Sequence, residues 1–160
     1  MKPLYIFDLD GTLALIEHRR HFVDSTDGKK DWRGFFAACV DDVPNFPVIR
    51  TLQALRKSGA EIWIWSGRSD EVRSETIEWL HRHGCADTSM WAKSFGAPER
   101  FRMRKAGDHQ DDVALKYGWL SEIEPPEWNR LTAVFDDRDR VVQMWRDAGV
   151  TCFQVAPGDF

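Results

Sequence analysis

The chain has 160 residues, a formal net charge of −4 at pH 7 and 42% hydrophobic residues, with eight tryptophans. A chain of this length fits one domain that buries about two-thirds of its unfolded surface. The acidic balance disfavours broad electrostatic binding of nucleic acid, although a local basic groove stays open. No apolar run approaches the roughly 20 residues of a membrane span.

The cysteine content and the start of the sequence bear on the compartment. Cys39, Cys85 and Cys152 are odd in number and widely spaced, which favours reduced thiols over a disulfide framework or a zinc site. A predicted strand begins at Leu4, with no signal-peptide pattern before it. We therefore expect one soluble, cytoplasmic domain over residues 1–160, without a membrane partner.

Strand and helix patterns alternate along the chain. Buried strands are predicted at residues 4–7, 61–65, 131–135 and 151–155, with a weaker one near 89–92. Apolar residues at helical spacing predict helices around residues 48–55, 70–83, 111–120 and 138–148, and a short helical turn begins at Pro125. This alternation predicts an α/β fold with a doubly wound, mostly parallel sheet that is covered on both faces.

Two segments break the alternation. Residues 14–46 are rich in charge and histidine, and we interpret them as a flap with a short helix around residues 32–39, at most a small helical cap. Residues 98–107 are predicted to be irregular. They include the basic run 100–105, which suits a nucleic-acid backbone but is also typical of a solvated loop.

The first predicted strand ends in two carboxylates, Asp8 and Asp10. Side chains two apart share a face of an extended segment, and Gly11 indicates a turn whose backbone lies close to another group. Paired carboxylates here suit a hard cation such as Mg²⁺, and they also suit a carboxylate nucleophile facing an anionic substrate. The alternative is a β-turn with two solvated aspartates.

Other polar residues follow the next predicted strands. Ser66-Gly67-Arg68 follows residues 61–65, and Asp136-Asp137 follows residues 131–135. In an open parallel sheet the carboxyl ends of the strands gather around the ligand. Lys116 is the best candidate for an accompanying lysine, with Lys105 as its rival. Asp112 lies four residues before Lys116 on the same helix face, where it can orient the ammonium group.

These motifs, in this order, resemble those of the haloacid dehalogenase-like phosphohydrolase superfamily. Asp8-Leu9-Asp10-Gly11-Thr12 is similar to its first motif, Ser66 to its second, Lys116 to its third and Asp136-Asp137 to its fourth. Residues 107–116, 135–146 and 149–160 further resemble the 3′-phosphatase domain of phage-type polynucleotide kinase 3′-phosphatases. The sequence contains no G-x-x-x-x-G-K-[ST] kinase motif, so a separate kinase or ligase partner is expected.

The resemblance implies a Rossmann-like core and a role for each matching residue. Asp8 is expected to form an aspartyl-phosphate and Asp10 to be the general acid and base. Ser66 is expected to hold phosphoryl oxygens, and Lys116 to supply positive charge to Asp8 and the phosphoryl group. The residues expected around the substrate phosphate are Arg19, Gly67, Arg68 and Asp112. Mg²⁺ is expected among Asp8, the Asp10 backbone carbonyl, Asp136 and Asp137. Asp137 is the more direct ligand, and Asp136 has the alternative of capping the following helix.

The function predicted is that of a Mg²⁺-dependent phosphomonoesterase that removes 3′-phosphates from nucleic-acid ends or nucleotides. The short flap offers little protein to enclose a small substrate, which favours a polymer end. One alternative is a small-molecule nucleotidase that accepts 5′- and 3′-mononucleotides. Another is a non-catalytic module that binds nucleic-acid ends, which the Asp8 and Asp10 pair disfavours because a binder needs no nucleophile.

Overall fold

The computed structural model describes residues 1–24, 28–86 and 100–159. Its strands, in chain order, are β1 Leu4–Phe7, β2 Ala14–Leu15, β3 Val43–Pro44, β4 Glu61–Ser69, β5 Phe101–Arg104, β6 Leu131–Asp136 and β7 Cys152–Gln154. Five of them form a sheet in the order β5-β4-β1-β6-β7, and every pairing in it is parallel. The parallel sheet predicted from the sequence is therefore confirmed.

Helices cover both faces of this sheet. The α-helices of the described residues are α1 Trp32–Ala37, α2 Phe46–Lys57, α3 Arg73–Arg82, α4 Asp112–Ser121, α5 Pro125–Trp128 and α6 Asp139–Asp147. Of these, α2, α3, α4 and α6 contribute to the core on the two faces of the sheet. One core cluster includes Leu52 of α2 and Trp79 of α3, and the other includes Leu120 of α4 and Trp145 of α6. The strands between these layers are apolar on both sides, as parallel strands covered on two faces must be.

The order of the strands determines where the site lies. From β1 the chain moves outward to β4 and β5, and it then returns to the other side of β1 for β6 and β7. Strand β1 therefore has β4 and β6 as neighbours, with Phe7 opposite Ile64 on one side and Phe135 on the other. Ligands of such sheets bind beyond the carboxyl ends of the strands, where the winding reverses.

A small cap, defined here as residues 16–42, lies between β2 and β3. These two strands pair antiparallel, Ala14 with Pro44 and Leu15 with Val43, and so hold the two ends of the cap together. The described part of the cap consists of α1 and two short 3₁₀ helices, Glu17–Phe22 and Ala38–Asp41. The helix predicted around residues 32–39 thus forms, in two pieces.

The prediction of an irregular stretch at residues 98–107 was wrong for residues 101–104, which form β5 and pair with β4. Arg102 donates to Glu122 at 2.5 Å, and its guanidinium lies 5.2 Å from the ring centroid of Trp65. The pattern of alternating arginines and apolar residues is that of a strand with one buried face. In sequence this segment resembles a charged loop, because its basic side chains hide the apolar period of two.

Three further expectations have separate outcomes. The weaker strand predicted near 89–92 lies outside the described residues.

Cys39, Cys85 and Cys152 are all buried and free, and burial raises the pKa of Cys85 and of Cys152 to about 12. Within residues 1–24, 28–86 and 100–159, none of the helices has the length and apolar character to cross a membrane.

Candidate active site

Asp8 and Lys116 are in direct contact at the end of β1. The Lys116 ammonium, on α4, donates to Asp8 Oδ1 at 2.6 Å and to Asp136 Oδ2 at 2.8 Å. Burial by itself would lower the pKa of Lys116, but Asp136 and Asp8 raise it, so the ammonium stays charged. The rival lysine, Lys105, has an exposed side chain that pairs with Asp70.

Three buried carboxylates surround this lysine. Asp8, Asp136 and Asp137 each offer an oxygen atom, and these atoms lie within 4.8 Å of one another. Burial raises the pKa of Asp8 well above its usual value despite the opposing charge of Lys116. Burial and the neighbouring Asp136 raise the pKa of Asp137 to about 7. One ammonium does not balance three carboxylates, and oxygen donors in this number suit a hard divalent cation.

Asp136 is almost fully engaged by the protein itself. Its Oδ1 accepts the backbone N–H groups of Asp137 and Arg138, at 3.0 and 3.4 Å. Its Oδ2 accepts from Lys116 and from Trp145 Nε1, the latter at 3.2 Å. The contacts that the structure gives Asp136 are therefore those of a residue that positions Lys116 and orders the start of α6, and Asp137 is the more available of the two.

Position 11 requires glycine, because the Asp137 carboxylate leaves no room for a side chain there. Its φ of +86° is unfavourable for other residues, and a Cβ atom there would lie 2.0 Å from Asp137 Oδ2. Thr12 Oγ1 approaches the other oxygen of Asp137 at 3.4 Å. The close approach of backbone that the sequence predicted at Gly11 is confirmed, and the group approached is an acid of the fourth motif.

The second acid of the first motif, Asp10, belongs to a different cluster. Its Oδ1 accepts from Arg19 Nη2 at 2.8 Å and from Arg68 Nε at 3.1 Å, with a further bond from Arg68 Nη2. Burial alone would raise the pKa of Asp10, but Arg68 and Arg19 lower it below its usual value. In this arrangement Asp10 is an ionised carboxylate, the form that accepts a proton.

Asp42 completes the cluster, and it was not predicted from the sequence. Its carboxylate accepts from Arg19 through Nε at 2.6 Å and Nη2 at 2.8 Å, and from Arg68 Nη2 at 2.7 Å. The Asp42 side chain is completely buried, and burial raises its pKa in spite of the two arginines. Two carboxylates and two guanidinium groups thus balance in charge, which low-dielectric burial demands.

The only sequence signal for Asp42 was indirect. Two arginines predicted at one site need acidic partners, and Asp41-Asp42 stands at the end of the predicted flap, just before β3. Nothing in the sequence distinguishes the exposed Asp41 from the buried Asp42, because that distinction arises only when the end of the cap packs over Arg19 and Arg68.

Both arginines predicted to bind phosphate are buried and engaged by Asp10 and Asp42. Arg68 lines the large cavity described below, whereas Arg19 is not among the residues that line it. Arg68 Nη1 also donates to Thr76 Oγ1 at 3.2 Å, and the Arg19 guanidinium lies 4.2 Å from the ring centroid of Phe35. Phosphate binding by these residues stays a prediction, while their contact with Asp10 is observed.

The second motif forms a bend inside β4, where the pairing with β5 shifts register between Ser66 and Ser69. Ser66 Oγ accepts the backbone N–H of Arg68 at 3.1 Å. A Cβ atom on Gly67 would lie 2.6 Å from Asp112 Oδ1, so a larger residue here would have to displace the Asp112 side chain.

Asp112 does not form the contact predicted for it. Its carboxylate pairs with Arg104 at 2.5 Å and with Arg138, whereas the Lys116 ammonium binds Asp8 and Asp136. Asp112 acts on Lys116 only through its charge, which contributes to raising the pKa of Lys116. The prediction assumed an isolated helix. In the fold, the lysine binds carboxylates at the ends of β1 and β6, and the aspartate binds nearby arginines.

A cavity of about 930 Å³ opens above these residues. Asp8, Asp10 and Lys116 line it together with Gly67 and Arg68. The opposite wall comes from the cap and includes Trp32, Phe35 and Phe36 of α1. Its volume is within the range of about 300 to 1,000 Å³ that is typical of pockets for small ligands, and it exceeds what one phosphate group fills.

A doubly wound parallel sheet with this arrangement of carboxylates, lysine and serine at its carboxyl edge defines a phosphatase of the haloacid dehalogenase type. The family model described as the polynucleotide kinase PNKP phosphatase domain matches residues 2–160. The chain therefore belongs to the family of PNKP phosphatase domains.

Solved structures agree with this assignment. A chain in the Pnkp1/Rnl/Hen1 RNA repair complex is 28% identical and superimposes with a TM-score of 0.75, covering 99% of this chain and 44% of that one. A second Pnkp1/Rnl/Hen1 structure gives 29% identity and a TM-score of 0.74, with 99% and 48% covered. The chain thus spans less than half the length of these relatives.

A more distant structure shows the fold alone. The class C acid phosphatase from Bacillus anthracis, solved with tungstate bound, is 16% identical with a TM-score of 0.60. The match covers 99% of this chain and 67% of that chain.

The position of Asp42 predicts a role that acts through Asp10. Asp42→Asn removes the charge that shares Arg19 and Arg68 with Asp10, so both guanidinium groups then hold Asp10 more firmly as a carboxylate. We expect kcat/KM for an alkyl phosphate to fall by roughly ten- to a hundredfold, because its leaving group needs a proton. The loss for p-nitrophenyl phosphate, whose leaving group needs none, is expected to be several times smaller.

Asp41→Asn is the matched control, since Asp41 is exposed and adjacent in sequence. The role would be contradicted if Asp42→Asn lowered kcat/KM equally for the alkyl phosphate and for p-nitrophenyl phosphate while its thermal stability stayed unchanged.

Proposed function

We propose that this phosphatase is a Mg²⁺-dependent enzyme that removes 3′-phosphate groups from nucleic-acid ends or nucleotides through an aspartyl-phosphate on Asp8. The observation that carries the mechanism is the contact of Lys116 with Asp8 at 2.6 Å inside a cluster of buried acids. The substrate class is supported by membership of the PNKP phosphatase domain family and by the likeness to chains of an RNA repair complex.

The donor set fits a hard divalent cation. Asp8, Asp136 and Asp137 supply carboxylate oxygens alone, and their excess of negative charge over Lys116 is what such an ion would offset. We propose that Asp8, Asp137 and the Asp10 backbone carbonyl hold Mg²⁺, with Asp136 supporting them. When bound, the ion supplies positive charge to the phosphoryl oxygens and to Asp8 during the transfer.

In the first step, an Asp8 oxygen attacks phosphorus, and the bond from phosphorus to the nucleoside oxygen breaks. Lys116 balances charge on Asp8, and Ser66, the backbone N–H groups around Gly67, and Arg68 are proposed to hold the phosphoryl oxygens. For Gly67 and Arg68 this proposal is supported by their position in the lining of the cavity that also contains Asp8. Asp10 gives its proton to the departing alkoxide.

In the second step, water attacks the phosphorus of the aspartyl-phosphate and releases Asp8 and inorganic phosphate. Asp10 now takes the proton from that water, for which its ionised form is suited. The cluster of Asp10 with Arg19, Arg68 and Asp42 also accounts for how Asp10 acquires the proton that it gives up in the first step. A phosphate dianion beside Arg68 competes for the guanidinium charge, weakens the hold on the Asp10 carboxylate and raises its pKa.

The partners of this chain are also a proposal. The similar chains were solved in complexes with Rnl and Hen1. We propose that this phosphatase acts beside a ligase or kinase activity in repair of nucleic-acid ends in the cytoplasm. Copurification of tagged protein with such an activity is the direct test.

The first prediction from this mechanism separates the two acids of the first motif. Asp8→Asn is nearly isosteric and should lower kcat at least about 10⁴-fold, because the amide cannot attack phosphorus. Asp10→Asn should lower kcat on a nucleoside phosphate by roughly 10² to 10⁴, the range for loss of a general acid.

Pre-steady-state release of p-nitrophenol distinguishes these roles. Asp10→Asn should give a burst and then stall as the phosphorylated enzyme, while Asp8→Asn should give no burst. Asp147→Asn, an exposed aspartate at the end of α6, is the control. Near-normal turnover by Asp8→Asn would exclude the aspartyl-phosphate.

The second prediction concerns the cation. Activity should disappear on chelation and return with Mg²⁺, whereas Ca²⁺ should support it poorly, because Ca²⁺ takes more ligands at longer distances and disturbs the in-line geometry.

Binding can be followed without catalysis. Saturating Mg²⁺ should raise Tm by about 5 °C, since an ion that binds only the folded state stabilises it. Asp137→Asn should abolish the shift. Full activity after exhaustive chelation, or a shift that Asp137→Asn retains, would refute the proposed site.

The third prediction tests the substrate itself. Phosphate release should be faster from 3′-phosphorylated than from 5′-phosphorylated forms of the same oligonucleotide and of the same mononucleotide. A preference for 5′-mononucleotides of about tenfold, or roughly 1.4 kcal/mol in transition-state binding, would instead establish the nucleotidase alternative.

A further inference from the structure

The cap contributes an aromatic surface to the cavity that the phosphatase chemistry does not use. Trp32 and Phe36 lie on α1, and both line the same cavity as Asp8 and Asp10. Their rings are stacked, with centroids 6.0 Å apart and planes inclined by 27°. The Trp32 residue is 49% exposed, which is unusual for so large an apolar side chain.

The remaining contacts of α1 hold this surface in place. Phe35, between the two rings in sequence, is buried, and it meets Trp32 edge-on with centroids 5.8 Å apart. Phe35 in turn packs under the Arg19 guanidinium at 4.2 Å. Asp31 begins the helix by accepting the backbone N–H of Gly34 at 2.8 Å. Trp32 is thus presented on an anchored helix rather than on a free loop.

Charge alone does not explain how this cavity would hold a substrate. Among the lining residues, the Asp and Glu side chains equal the Arg and Lys side chains in number, so the wall offers no net attraction to a polyanion. Many of those cations are already paired, as Arg68 and Arg104 are. Beside Trp32, however, the Lys30 ammonium lies 5.6 Å from its ring centroid, which places an aromatic face and a cation together.

We propose that Trp32, supported by Phe36, stacks on the nucleobase of the terminal nucleotide while its phosphate occupies the site at Asp8. Every nucleobase has a π-face, and stacking on an aromatic side chain contributes about 1–3 kcal/mol per base. The cavity is large enough for more than a phosphoryl group, and its aromatic wall and its acids are parts of one space. This inference rests on the proposed function, because it assigns the substrate contact that distinguishes a nucleotide end from a simple phosphate ester.

The test compares two oligonucleotides that both end in a 3′-phosphate, one with a normal terminal base and one with an abasic tetrahydrofuran residue in its place. The wild-type enzyme should have a KM about tenfold lower for the substrate with the base. Trp32→Ala should remove that preference, and Trp32→Phe should retain most of it. Trp128→Ala is the matched control, because Trp128 is also partly exposed but lines a different groove, between α4 and α6.

Binding of the same two oligonucleotides to the Asp8→Asn variant, by fluorescence anisotropy, separates affinity from chemistry. The ratio of the two Kd values should be about ten in that background and near one when Trp32→Ala is added. A wild-type enzyme without the preference, or a preference that survives Trp32→Ala, overturns the inference. Neither result bears on the proposed function, which is tested separately by the comparison of 3′- and 5′-phosphates, by chelation and by the turnover of Asp8→Asn.

Discussion

The carboxylate of Asp8 is buried at the end of β1, and the ammonium of Lys116 reaches it from helix α4. Removing an ion from water costs several kcal/mol, so each buried charge here depends on a partner supplied by another element. Lys116 therefore joins three parts of the fold, since it bonds at once to Asp8 after β1 and to Asp136 at the end of β6. A shift of α4 by a fraction of a helical turn would leave all three charges unpaired.

The two clusters at this edge differ in the way their charge is balanced. Around Asp10, two arginines and two aspartates neutralise one another, so the cluster is complete within the protein. Around Asp8, three carboxylates share one lysine, and the pKa of Asp137 rises to about 7. The first cluster holds the Asp10 carboxylate in a fixed place through its own ion pairs. The second is built to accept positive charge, and a cation is the simplest source.

The sequence predicted the parts of the structure that depend on local pattern. Strand β1 and the helices that follow β4 and β6 were expected where they form, because apolar spacing and glycine turns act over a few residues. The residues of the phosphohydrolase motifs were expected to converge because parallel strands end at one edge, and Asp8, Lys116 and Asp136 do meet there. A rule of topology was enough for these contacts.

What could not be predicted depends on packing between distant segments. Asp42 is 26 residues from Arg68 and lies in a segment without periodicity, so its burial follows only from the closure of the cap. Arg104 looked like part of a basic loop, yet it donates to the Gly67 carbonyl at 2.9 Å and to Asp112. An arginine that satisfies buried acceptors and one that faces solvent have the same sequence signature, and only the three-dimensional partner distinguishes them.

The side chain of Arg19 connects helix α1 of the cap with Asp10. Arg19 packs its guanidinium on Phe35 of α1 and donates to Asp10 from the same group. If Trp32 of the same helix stacks on the terminal base, a substrate bound in this way keeps α1, Arg19 and Asp10 in fixed positions relative to one another. A phosphate ester without a base leaves α1 without that contact, although its phosphate still reaches Asp8. Substrate preference would then arise from the orientation of Asp10, the proposed acid and base, as well as from affinity, because both depend on the one helix.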